Sequence, residues 1–122
     1  MSKIIYANTH AEFLNQAFGT DYKGYMKSRW GYDKDTWVWM VHIDGQIRAG
    51  WINTIINENE IREEYVWEDE PTYNNSIEKA YRIVANVIDH PHGREYHVLG
   101  KYKFDFNQST NKKHILQKIQ DI

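Results

Sequence analysis

Residues 93–106, GREYHVLGKYKFDF, constrain the fold more than any other stretch of this chain. Tyr96, Val98, Gly100, Tyr102, Phe104 and Phe106 share one parity, while Glu95, His97, Lys101, Lys103 and Asp105 take the other. A period of two is the signature of an extended strand with one buried face. A basic, aromatic-rich strand also raises the question of nucleic-acid contact, because Lys101 and Lys103 on its polar face could follow a phosphate backbone. The commoner role of such lysines is to discourage edge-to-edge pairing between sheets.

The second strong signal is TWVWMVHI followed by Asp44-Gly45, a dipeptide that supplies the positive φ angles of a two-residue turn. It predicts a strand over 36–43 returning through 46–53, with Trp39 facing Gly50 and Val38 facing Trp51. Apolar residues on both faces place this pair centrally in a curved or closed sheet. Asn57 to Asn59 then leads into a strand over 60–67. Thr9-His10-Ala11-Glu12 has capping-box spacing ahead of Phe13, Leu14, Ala17 and Phe18, which predicts a helix over 10–18 ending at Gly19. SIEKAYRIVANVID fits either a helix behind Ser76 or a strand over 81–89, with the strand preferred. A short helix over 111–120, with Ile115 and Ile119 inward, is expected to close the chain. The expected architecture is α+β: a curved, mostly antiparallel sheet or partly open barrel of five or six strands, with a short helix near each terminus.

The 122 residues suit one compact domain over 1–122, and an aromatic fraction of 15% is too high for disorder. The chain holds no cysteine, which removes disulfides and thiolate zinc sites and fits a reducing, cytoplasmic setting. MSKIIYANTH makes neither a signal peptide nor a membrane span, so no membrane partner is expected. His90, His92 and His97 lack metal-ligand spacing, and no metal or cofactor is expected. No nucleophile elbow or phosphate-cradling loop is present, and catalysis is the less favoured reading.

Two features bear on function. Trp30, Trp37, Trp39, Trp51 and Trp67 are more tryptophan than a core this small needs. Most such rings are core, but some can wall a cavity for a planar group, with Arg29, Arg48 or Asn53 supplying charge or edge hydrogen bonds. The net charge of −2 also hides an acidic segment, 58–70, of net charge −6, which leaves +4 for the remainder. Such a division permits a basic face beside an acidic edge.

The succession WVWMVHIDGQIRAGWINTI, IREEYVWE, YRIVANVID and REYHVLGKYKFDF resembles the PUA-like β-barrel recognition modules of modification-dependent restriction endonucleases, over about residues 30 to 120. The resemblance implies a cup for a modified base flipped out of duplex DNA, with Trp39 and Trp51 as cavity wall, Asn53 as edge reader and Arg48 as a phosphate or base contact. Candidate nucleic-acid-binding residues are therefore Arg29, Trp30, Trp39, Arg48, Trp51, Asn53, Lys101 and Lys103, in a module without catalysis. The composition is also that of a phage-type protein. Its alternative function is inhibition of a host nucleic-acid-processing enzyme through an acidic surface formed by Glu60, Glu63, Glu64, Glu68 and Asp69.

Overall fold

The computed structural model describes residues 3–71 and 78–122. The elements are β1 (Lys3–Ala7), α1 (His10–Phe18), β2 (Arg29–Asp33), β3 (Thr36–Val41), β4 (Ile47–Arg48), β5 (Trp51–Asn57), β6 (Glu60–Tyr65), β7 (Tyr81–His90), β8 (Gly93–Phe104) and β9 (Lys113–Gln120). All strands belong to one sheet in the order β2-β3-β7-β8-β9-β6-β5-β4, with β1 paired to β8. Every pairing is antiparallel except β3 with β7. No helix among the described residues is long and apolar enough to cross a membrane.

The helix forms where its cap predicts. Thr9 Oγ1 accepts the Glu12 amide at 3.1 Å, and Glu12 Oε2 reaches back to the Asn8 amide at 2.7 Å, one residue short of the expected reciprocal partner. Gly19, at φ 70°, ends the helix by donating its amide to Asn15 O. Phe13 and Leu14 are buried by α1 against one face of the sheet, with Val38, Met40, Ile83, Ala85, Val87, Tyr96 and Val98. Phe13 stacks on Tyr96 at 4.4 Å, and the Tyr96 hydroxyl meets His10 Nδ1 at 2.7 Å.

The opposite, concave face carries a second cluster: Trp39, Val41, Ile43, Ile61, Val84, Tyr102, Phe104 and Leu116. β8 serves both clusters because its register slips against β7. Val84 pairs with Gly100 and Ala85 with Val98, so Leu99 is an extra residue in the ladder. That bulge turns the parity over: Tyr96 and Val98 point toward α1, whereas Tyr102 and Phe104 point into the concave side. Residues expected to share one face are therefore divided between two. Phe106 lies beyond the strand and is 51% exposed, so it does not extend the buried row. Gly100 sits where β9 comes close; a Cβ there would lie 2.6 Å from the Gln120 carbonyl oxygen.

Three expectations are corrected. The chain only bends at Asp44-Gly45, where Asp44 Oδ1 accepts the Gln46 amide and Gly45 alone has a positive φ. The return expected over 46–53 is broken by a turn at Ala49-Gly50, where φ is 52° and 91°, and it does not pair with β3. Both edges of β3 are already filled, by β2 and by β7, so Trp39 lies opposite Arg29 and Val84 rather than Gly50. β5 pairs instead with β4 and β6, and the rings over Gly50 are those of Tyr65 and Trp67. Residues 113–120 are strand, not helix, because they fill the gap between β8 and β6 and complete both ladders. Sheet pairing outweighs the helical spacing there: Ile115 is buried, but Ile119 is 51% exposed. The sheet has nine strands rather than five or six, and α1 is the one helix among the described residues. The strand reading of 81–89 holds, whereas Ser76 lies outside the described residues.

Candidate functional site

The concave face would be an ordinary apolar half-core if it contained only the residues above. It also buries Arg82, Glu63, His114, Asn53 and the side chain of Glu78. Charged side chains are removed from water only where partners compensate for the lost hydration, which otherwise costs several kcal/mol per ion. A scaffold does not need such a group, so its location marks a candidate site.

The strands set this geometry. Asn53 on β5 lies opposite Glu63 on β6, and Glu63 lies opposite His114 on β9, so three polar side chains form a row across three strands. His114 Nδ1 is 2.7 Å from Glu63 Oε1. An ionised carboxylate only accepts, so Nδ1 carries the proton. Arg82, directed inward from β7, places Nη1 3.6 Å from the same Oε1. Its other side is held by Glu78, through Nη2 at 2.6 Å and Nε at 3.3 Å. Arg29 on β2 adds a further contact to Glu78 at 3.3 Å.

Planar groups run alongside this polar row. Trp51 stacks on His114 at 4.9 Å, His114 leans on Phe104 at 5.4 Å, and the Arg82 guanidinium lies 5.4 Å from Phe104 and 4.5 Å from Trp39. Trp51 is only half-buried, so this series of rings is partly open to solvent. Tyr65 packs edge-on to Trp51, and its hydroxyl donates to Asp69 at 2.6 Å. That bond to a carboxylate is the main reason its phenol is pushed up to about 12.

The electrostatics of Glu63 result from opposed effects. Burial pushes its carboxyl pKa up, but the hydrogen bond from His114 and the positive charges of Arg82 and Arg29 outweigh burial and hold it below the usual carboxylate range. Beside it, the Asn53 side-chain oxygen is buried without a hydrogen-bond partner. A buried, unpaired carbonyl oxygen costs about 1–3 kcal/mol. It is the kind of group that a ligand donor would satisfy.

Of the residues singled out by sequence, Arg29, Trp39, Trp51 and Asn53 come to this face. Trp39 is 3% exposed beneath the Arg82 guanidinium, which makes it floor rather than an open stacking wall. Arg48 stands on β4, exposed, with Nη2 on Asp44 at 2.7 Å. Trp30 lies on the helix side among Phe18 and Tyr32. Lys101 pairs opposite Ile83 and lies over the Tyr81 ring, and Lys103 pairs opposite Tyr81, so both lysines project from the helix-side face. The structure therefore does not bring Trp30, Arg48, Lys101 and Lys103 together with Trp51 and Asn53.

The acidic stretch also divides. Glu63 points inward and is 9% exposed, whereas Glu64, Glu68 and Asp69 are exposed and Glu60 is paired with Arg62 at 2.8 Å. A buried glutamate cannot belong to a continuous acidic surface. Arg82, Glu78 and His114 were not identified from the sequence as site residues. The signal for Arg82 was present: an arginine in the apolar run YRIVANVI is buried only when paired. His114 is recognisable only once 113–120 is read as a strand, which sets it on the same face as Leu116.

A family model described as the SET and RING associated domain matches residues 1–122. Among solved structures, "The 5-Hydroxymethylcytosine-Specific Restriction Enzyme AbaSI" is similar, with a TM-score of 0.74 and 22% sequence identity. The match covers 98% of this chain and 39% of that one, so this chain spans about two fifths of the length of AbaSI. At that identity the likeness establishes the fold. No curated protein sequence matches.

Proposed function

The chain belongs to the SET and RING associated domain family, and from that premise we propose that it is a non-catalytic module that recognises a modified cytosine in DNA on its concave face. A base inside a duplex hides its Watson–Crick edge, so a reader of that edge must act on a base swung out of the stack. Trp51, half-buried beside His114, is the ring assigned to packing against the extruded base. Glu63 and Asn53 beneath it offer acceptors to an exocyclic amino group and to a hydroxyl on the base, and the Asn53 amide nitrogen can donate to a ring nitrogen or carbonyl. The observation that carries this reading is the buried, unpartnered Asn53 oxygen beside a carboxylate held in its charged form. The name of the similar restriction enzyme makes 5-hydroxymethylcytosine the first modification to test. Nothing in the comparisons supports inhibition of a host enzyme, and the inward turn of Glu63 removes the centre of the surface that inhibition would use.

The deciding experiment is a tryptophan-fluorescence titration with short duplexes that differ only in one cytosine, unmodified or 5-hydroxymethylated, at low and high salt. Quenching that depends on the modification and persists at high salt is expected, because phosphate attraction alone falls steeply with salt. Equal responses to both duplexes, vanishing at high salt, would leave only a non-specific DNA contact.

A further inference from the structure

A glutamate placed in an apolar half-core is normally driven toward its neutral form by desolvation. A neutral carboxyl group both donates and accepts, and its O–H rotates to suit whatever faces it. Such a group cannot distinguish an exocyclic amino group, a donor, from an exocyclic carbonyl, an acceptor. An ionised carboxylate only accepts, so it rewards the amino group and repels the carbonyl. The charge state of Glu63 therefore determines what the face can discriminate.

Arg82 is positioned to fix that state. Its side chain is fully buried, and Glu78 holds two of its nitrogens. The ring faces of Trp39 and Phe104 lie within 4.5 and 5.4 Å of the guanidinium. So constrained, it cannot swing away from Glu63, whose Oε1 lies 3.6 Å from Nη1. The His114 hydrogen bond falls on the same oxygen. Glu63 Oε2 makes no hydrogen bond among the described residues, and the side chain keeps 12% exposure, which leaves that oxygen for a ligand. The groups facing Glu63 are His114 from β9, Arg82 from β7, Arg29 from β2 and neutral Asn53 from β5, with Glu78 behind the arginines.

Building on the base-recognition reading above, we infer that Arg82 is a positioning residue for specificity: it keeps Glu63 an acceptor-only group, and so selects a base with an exocyclic amino group over one with a carbonyl. Arg82 itself touches no ligand. The selectivity set in this way is independent of pH across the neutral and mildly acidic range.

The test measures binding of two duplexes, one carrying 5-hydroxymethylcytosine and the other 5-hydroxymethyluracil in the same context, from pH 8 to pH 5. The native chain is compared with Arg82→Met, Arg82→Lys and Glu63→Gln. Native discrimination is expected to stay constant across the range. With Arg82→Met it falls about tenfold toward pH 5, the loss expected for one hydrogen bond to a charged group. Arg82→Lys restores the flat profile, and Glu63→Gln is poorly selective at every pH. A flat, native-like profile for Arg82→Met would overturn the inference. A native chain with no preference for 5-hydroxymethylcytosine over plain cytosine would overturn the base-recognition reading itself, a different result in a different comparison. If Arg82→Met does not fold, the Glu63 carboxyl carbon of the native chain is titrated by NMR. A midpoint below the ordinary 4.5 supports the inference, and one at or above it overturns the inference.

Discussion

The face of the sheet beneath α1 buries Phe13, Leu14, Val38, Ala85, Val87 and Tyr96, with no ion pair among these residues and the Tyr96 hydroxyl on His10. The concave face of the same sheet buries two carboxylates, an arginine, a histidine and an asparagine against the rings of Trp39, Trp51 and Phe104. Each face obeys a different rule. The first is built by removing apolar area from water, and any side chain of the right volume serves it nearly as well. The second depends on specific pairs, each of which becomes a liability when its partner is removed. Stability should therefore reside mainly under the helix, and recognition mainly in the concave row.

The sharpest way to break that division is Phe13→Ala. It removes a fully buried ring stacked on Tyr96 and should cost about 3–5 kcal/mol in chemical denaturation, while the fraction that stays folded keeps its preference for modified DNA. If that preference vanished with the protein still folded, the two faces would not be separable. Trp51→Ala should show the reverse, with affinity for the modified duplex down about tenfold to a hundredfold, the range for losing one stacked base, and a smaller change in stability, since the ring is only half-buried.

Acid titration separates the faces by their pH windows. His10, on the helix side, has its pKa lowered, chiefly by burial and then by Arg94. The folded form thus resists a proton that the unfolded chain accepts near 6.5, and stability declines as pH falls below that value. Glu63 on the concave side also has a lowered pKa, so its contribution is present above about 4.5 and is lost as pH falls through the folded value. Glu63→Gln should flatten the lower arm alone and His10→Gln the upper arm alone, as read from denaturation midpoints at each pH. The smallest effect expected is that of Lys103→Ala. The residue projects from the helix-side face, so affinity should change less than about twofold, as for a surface change away from the contact.

Local rules carry part of the fold: the Thr9 cap and the Gly19 stop form where they are written, and the runs at 36–41 and 93–104 are strands. What failed was the choice of partner. Nothing within TWVWMVHI states that its edges will be taken by 29–33 and 81–90. The helix expected over 111–120 failed for a related reason: a vacant slot between β8 and β6 is a property of the assembled sheet and leaves no mark on local spacing. The site was half legible. Trp51 and Asn53 show in the sequence as a tryptophan two residues before an asparagine, and both stand on one face of β5. Glu63 read as one more acid in a solvated run, because its parity sends it inward while its neighbours' composition points outward.

The extra residue at Leu99 has a mechanical consequence. Because β8 passes from one core to the other without a break, the backbone that carries Tyr96 under the helix is continuous with the backbone that carries Phe104 beneath His114. A chain joined in this way cannot loosen one side by itself. Amides from 94 to 104 should exchange with solvent as one slow unit, and a ligand gripped on the concave side should tighten the exchange of amides beneath α1, at the far side of the sheet. The strand transmits the binding event to the scaffold as a change in how often the whole sheet opens.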